Sequence, residues 1–246
     1  MMNKGLAPSV KPLFCFSLMS TDPVVAAPAR NGLLRALLRF FFRHFYHEFA
    51  WTYDAVASIV SLGRWNDWVD TALDFVQGSR VLELGHGPGH LQARLQQSGP
   101  MHIVGIDESS DMGKLARARL RKAGTTTSQL VRGLGQTLPF ADGTFDTVLA
   151  TFPTEYVFEQ VTLLEIRRVL VSGGRLVIIP AAWIVGSDML DRLAAWTFRA
   201  TGQAPAAPAT AFAQRLRRPF EDAGFQVDFQ VARIKSSEVL IVIANT

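Results

Sequence analysis

One cysteine, Cys15, serves the whole 246-residue sequence. That excludes an internal disulfide and any cysteine-built zinc site, and it suits a reducing, intracellular setting. The five histidines are scattered without ligand spacing, so no metal site is expected. Long apolar runs are missing too: the best, "LVIIPAAWIVG" at 176–186, falls short of the roughly 18–20 residues that span a bilayer. An integral membrane protein is therefore not expected. Nor is a secreted one, because "PLFCFSLM" after Lys4 is short, contains proline and lacks a small-residue cleavage site. The formal charge of +4 is carried mostly by arginine and permits an anionic partner without requiring one. The expectation is a cytoplasmic protein, with peripheral membrane association left open.

What is present suffices for one α/β domain and an appendage, since 48% of the residues are hydrophobic. Residues 1–30 read as a flexible tail. From 31 to 78 the pattern is helical, in "NGLLRALLRFFFRHFYHEF", "WTYDAVASIVSL" and "RWNDWVDTALDFV". From 79 to 246 strands alternate with helices. "RVLELG" precedes a helix from Pro88 to about Gln97, and "HIVGID" precedes one from Ser109 to Ala123; "SQLVRG" and "FDTVLATF" follow. A helix over about 158–171 is stopped by "SGG" ahead of a fifth strand, "RLVIIP", whose unbroken apolar run implies burial on both faces. Helices are expected over 183–201 and 211–223, on either side of the "QAPAAPAT" linker. "FQVDFQVARI" and "EVLIVIAN", joined by "KSSE", then close an antiparallel pair. The expected fold is α/β: five alternating strand–helix steps in a mostly parallel sheet, and an antiparallel edge hairpin.

The first strand breaks into "LGHGPGH", a run of glycines that lets a ligand approach bare backbone at a helix start. The dinucleotide fingerprint is G-x-G-x-x-G. Here Gly85, Gly87 and Gly89 follow G-x-G-x-G, with an acid, Glu83, at the strand end. That acid would repel a pyrophosphate and suits a ligand bearing an ammonium group and a sulfonium, namely S-adenosylmethionine. Asp107 ends the next strand, where a carboxylate takes both hydroxyls of an adenosine ribose.

Through "VLELGHGPG", "VGIDES", "LPFADGTFDTVLA" and "EIRRVLVSGGRLVI" the chain resembles the class I S-adenosylmethionine-dependent methyltransferases. Through "YDAVASIVSLGRWNDW" and the "LPF" turn it is similar to their small-molecule branch (methyltransferase type 11 domain), which includes the ubiquinone/menaquinone-biosynthesis C-methyltransferases. The resemblance implies a Rossmann-like, doubly wound seven-stranded sheet with an antiparallel last strand and an N-terminal helical lid. It implies that Glu83, Gly85, Gly87 and Gly89 line the methionine end, that Asp107 with Glu108 borders the ribose, and that Gly135 and Gln136 meet the adenine. Leu134 stands where such proteins usually place an acid for the adenine amino group; backbone around Gly135, with Gln136 or Leu138 beside the ring, is the substitute. Thr151, Phe152 and Pro153 would wall the methyl group, Tyr53 would line the acceptor side, and Glu155 or Tyr156 would orient or deprotonate the acceptor, or else cap and pack the next helix. His86 and His90 read as loop packing, Asp142 and Asp146 as turn and strand-start residues.

Arg35, Arg39, Arg43 and His47 fall on one helical stripe beside Leu34, Leu37, Leu38, Phe41, Phe42 and Phe45. The stripe suits a lid over the pocket or a helix at a membrane interface, and His44, Glu48 and Tyr53 could also reach the pocket. Both versions imply a small, lipophilic acceptor such as a quinol or lipid head group. "RARLRK" and "RLRR" read as solvated helix faces, so nucleic acid is not the expected partner. A nucleic-acid methyltransferase and a cofactor-binding protein without turnover remain the alternatives.

Overall fold

The computed structural model of the chain describes residues 61, 63–99, 101–124, 129–185 and 209–246. The tail 1–30, most of the helical preface and residues 186–208 lie outside the described residues, and so do the residues of the expectations for 31–47, His44, His47, Glu48 and Tyr53.

Among the described residues seven strands form one sheet in the order β3-β2-β1-β4-β5-β7-β6. The strands β1 (Arg80–Leu84), β2 (His102–Asp107), β3 (Gln129–Arg132), β4 (Phe145–Thr151) and β5 (Leu170–Ile184) are parallel. The pair β6 (Gln226–Ile234) and β7 (Ser237–Asn245) is antiparallel, and β7 inserts between β6 and β5, antiparallel to both. Chain order reverses between β1 and β4, and the carboxyl ends of strands at such a point are where α/β sheets bind ligands.

Two cores flank the sheet. On one face α1 (Trp65–Asp70), α2 (His90–Gln97) and α3 (Ser110–Lys122) contribute Trp68, Leu91, Leu95 and Met112, packed on Val81, Ile103 and Leu149. On the other, α4 (Gln160–Val169) and α5 (Ala209–Asp222) contribute Leu163, Ile166, Leu216 and Phe220, packed on Leu82, Leu84, Val148 and Ile178. Burial on both faces is why "VLEL" and "LVII" show no polar alternation. No helix among the described residues is long and apolar enough to cross a membrane.

Four expectations are corrected. The step from β3 to β4 has no helix: residues 133–144 cross as a loop, since glycines and Pro139 interrupt any helical period. β5 begins at Leu170, directly after α4, and absorbs "SGG" as an irregularity opposite Phe145–Thr147. Trp183 and Ile184 do not open a helix; they end β5, where pairing with Glu238 and Ser237 satisfies the backbone. Finally, α2 begins at His90, because Gly89 at φ 83° is its left-handed N-cap and Pro88 belongs to the turn.

Candidate functional site

The glycine loop is tied to the carboxyl end of β2. The amides of Gly85 and His86 both donate to the Ile106 carbonyl, at 2.8 and 3.3 Å. Gly87 N–H donates to Asp107 Oδ2 at 2.8 Å, while Oδ1 accepts from Ser109 N–H at 2.8 Å. His86 Nδ1 donates to the Gly87 carbonyl at 2.7 Å, and the Arg119 guanidinium of α3 donates to the Pro88 carbonyl. All three glycines have positive φ. A Cβ on Gly85 would lie 2.8 Å from the Tyr156 hydroxyl and one on Gly89 2.8 Å from Ala116 Cβ, whereas nothing lies within 4 Å of that position on Gly87. Gly85 and Gly89 thus allow close packing, and Gly87 offers bare backbone to open space.

Below the loop, Glu83 is 2% exposed and accepts from Gln92 Nε2 at 2.7 Å. Burial pushes its carboxyl up to about 8; the Gln92 hydrogen bond opposes this and the nearby Asp107 charge adds to it. At neutral pH the group is mostly a neutral acid, which a bound cation would ionise. Gln92 escaped sequence reasoning. Its signal was a polar side chain on the buried stripe of Leu91 and Leu95.

Tyr156 spans two walls. Its hydroxyl meets Gly85, and a Cβ on Gly135 would lie 2.8 Å from its Cε2. Burial, then the charges of Asp107, Glu83 and Glu108, raise the phenol well above its ordinary range. At neutral pH it is therefore protonated and able to donate a hydrogen bond. Glu155 precedes it in the 3₁₀ turn Glu155–Phe158 and is partly buried.

The remaining candidates lie around this centre. Glu108 is exposed, and its carbonyl accepts from Arg132 Nε at 3.0 Å. Gln136 donates to Glu159 Oε2 at 3.1 Å from the tight Leu134–Thr137 turn, and Leu134 is exposed. Glu83 pairs with Leu149, so continuing the register brings Thr151 level with Gly85. Pro153 is buried. The Phe152 side chain does not face this space: it is 5% exposed and stacked on Trp65. Asp142 and Asp146 are structural, as expected: Asp142 pairs with Arg168, and Asp146 accepts from the Ser79 and Arg80 amides and the Arg80 guanidinium. No group of three His, Cys, Asp or Glu among the described residues could hold a metal ion.

The fold and an acid-floored glycine loop are common to many nucleotide-binding proteins, and sequence comparison separates them. The profile of the ubiE/COQ5 methyltransferase family matches residues 39–203, more than half of the chain. The chain belongs to that family. Within ubiE/COQ5 proteins it is similar to the demethylmenaquinone methyltransferase of Clavibacter sepedonicus, 36% identical over 137 residues, covering 54% of this chain and 55% of that protein. It is also similar to the ubiquinone/menaquinone biosynthesis C-methyltransferase UbiE of Escherichia fergusonii, 32% identical over 145 residues, covering 55% and 57%. The chain spans about half the length of the curated relatives it matches. Among solved structures, an S-adenosylmethionine-dependent methyltransferase from Aquifex aeolicus superposes with a TM-score of 0.53 at 20% identity, covering 77% of this chain and 97% of that one. The geranyl diphosphate C-methyltransferase of Streptomyces coelicolor A3(2) gives 0.54 at 12% identity, covering 73% and 78%. At these identities the structures share the fold of this ubiE/COQ5 member.

Proposed function

We propose that the chain is an S-adenosylmethionine-dependent methyltransferase whose acceptor is a small lipophilic quinol. The reading is carried by one juxtaposition: the bare backbone of Gly87 is tied to Asp107 at the end of β2, in the loop that follows the buried acid Glu83 of β1, in a ubiE/COQ5 chain. When bound, the cofactor supplies a methyl group on a positively charged sulfur. Glu83 would ionise and hold the methionine ammonium, Asp107 would take the ribose hydroxyls, and Gly135 with Gln136 would border the adenine. Methyl transfer is an in-line displacement, so the acceptor side has chiefly to position a nucleophile. The main chain of Thr151–Pro153, with Glu155 and the Tyr156 hydroxyl, would do this. Residues 79–246 would form the cofactor domain and residues 31–78 the acceptor region, with 31–47 as its lid or membrane contact.

The relatives' names favour a quinol over a phospholipid. The test incubates the full chain with labelled S-adenosylmethionine and either a demethylated menaquinol or phospholipid vesicles, reading S-adenosylhomocysteine. Product with the quinol alone is expected. Product with phospholipid alone overturns the acceptor class, and calorimetry showing no cofactor binding overturns the whole reading.

A further inference from the structure

Phe152 holds φ at 46°, a left-handed backbone that bulky residues adopt only under constraint. Along β4 the side chains alternate: Val148 and Ala150 enter the core beneath α4 and α5, and Leu149 enters the core beneath α1–α3. Continued alternation would send Phe152 to the Val148 face. It lies instead in the other core, its ring centroid 4.3 Å from that of Trp65 at 31° and 6.1 Å from that of Trp68 at 46°. Its N–H still donates to the Ile179 carbonyl of β5 at 2.7 Å. The positive φ therefore turns one side chain from one face of the sheet to the other without releasing the strand. The turn occurs one residue beyond the level of Gly85, at the edge of the candidate site.

We infer that Trp65 and Phe152 are positioning residues, a stacked anchor that sets the main chain of Thr151–Pro153 bordering the acceptor while both rings point away from it. The inference rests on the methyl-transfer reading of the site. Trp65 belongs to the 31–78 stretch assigned to the acceptor side, so the anchor joins that stretch to the end of β4. Gly85 and Gly87 are held by the Ile106 carbonyl and by Asp107, through hydrogen bonds in which neither ring takes part, which separates acceptor positioning from cofactor binding.

The test compares Trp65→Ala, Trp65→Phe and Phe152→Gly in the full chain. Trp65→Ala should lower kcat for the demethylated quinol at least tenfold and leave the cofactor Kd within twofold; Trp65→Phe, which keeps a stacking ring, should retain kcat within threefold. Phe152→Gly tolerates the backbone but lacks the anchor, so it should lose kcat as Trp65→Ala does. Unchanged kcat in Trp65→Ala, a parallel loss of cofactor affinity, or an active Phe152→Gly overturns the inference. Amide exchange supplies a readout independent of the acceptor: Trp65→Ala should speed exchange at Phe152 at least tenfold and leave Gly85 and Gly87 unaltered. If the wild type methylates no quinol, the function reading fails while this readout still decides the anchor. Should Trp65→Ala not fold, the comparison of Trp65→Phe with Phe152→Gly decides it.

Discussion

Asp107 does two things with one carboxylate: both oxygens accept backbone N–H groups, one of them from the glycine loop itself. Asp107→Ala should therefore weaken cofactor binding by about 1–3 kcal/mol, because a ribose contact is lost and the Gly87 amide loses its partner. Gly87→Val should do worse, since its side chain would fill the open space at a φ of 49° that valine resists. Calorimetry on folded variants measures both, and wild-type affinity in both would remove the site. Glu83 gives a pH dependence. Its carboxyl rises from 4.5 to about 8 in the fold, so the stability it contributes to the unliganded chain is fully present below pH 4.5 and lost as pH rises through 8. A cationic ligand favours the carboxylate, so cofactor binding near pH 7 should release a proton. Calorimetry in buffers of differing ionisation enthalpy reads that release, and Glu83→Gln should abolish it; binding without release in the wild type would refute this role.

The helix α4 explains why "LPFADG" and "EIRRV" belong together. Glu165 Oε2 accepts the Leu138 amide at 2.8 Å, and Arg168 donates to the Phe140 and Leu138 carbonyls, Asp142 and Glu165. One helix end thus fixes the loop that carries Gly135 and Gln136. Arg168→Ala should cost about 2 kcal/mol in urea unfolding, a discounted figure for a partly exposed fork of charged hydrogen bonds, and Arg168→Lys about half that, since an ammonium cannot reproduce the fork. Equal stability of all three proteins would show that the clamp is decorative. The strands and the glycine loop were legible from periodicity and spacing, because each of β1, β2 and β4 is a short apolar run ending in turn residues. The extension of β5 through Trp183 and Ile184 was not, since β7, far along the chain, supplies its pairing. The stacking of Phe152 was equally hidden: one backbone dihedral decides it, and no residue pattern reports that angle.

At the scale of the whole molecule, the residues proposed for the cofactor lie at the described sheet, while those proposed for the acceptor divide between the end of β4 and the residues before the sheet. Deleting residues 31–47 should therefore abolish methyl transfer to a lipophilic quinol and leave measurable cofactor affinity. Reversing Arg35, Arg39 and Arg43 should weaken attachment to anionic vesicles by about 1 kcal/mol per residue if the segment lies at a membrane. Co-sedimentation at low and moderate salt reads this, and a wild type that never sediments leaves the lid version. The sheet order carries a further consequence, for the chain as it is made. Because β7 sits between β5 and β6 but follows both in sequence, β6 leaves the ribosome before the strand it pairs with among the described residues, and β5 waits with that edge bare. Folding of this half cannot finish during synthesis until residues 237–245 have emerged, and a nascent chain stalled before them presents an apolar edge for which other chains compete.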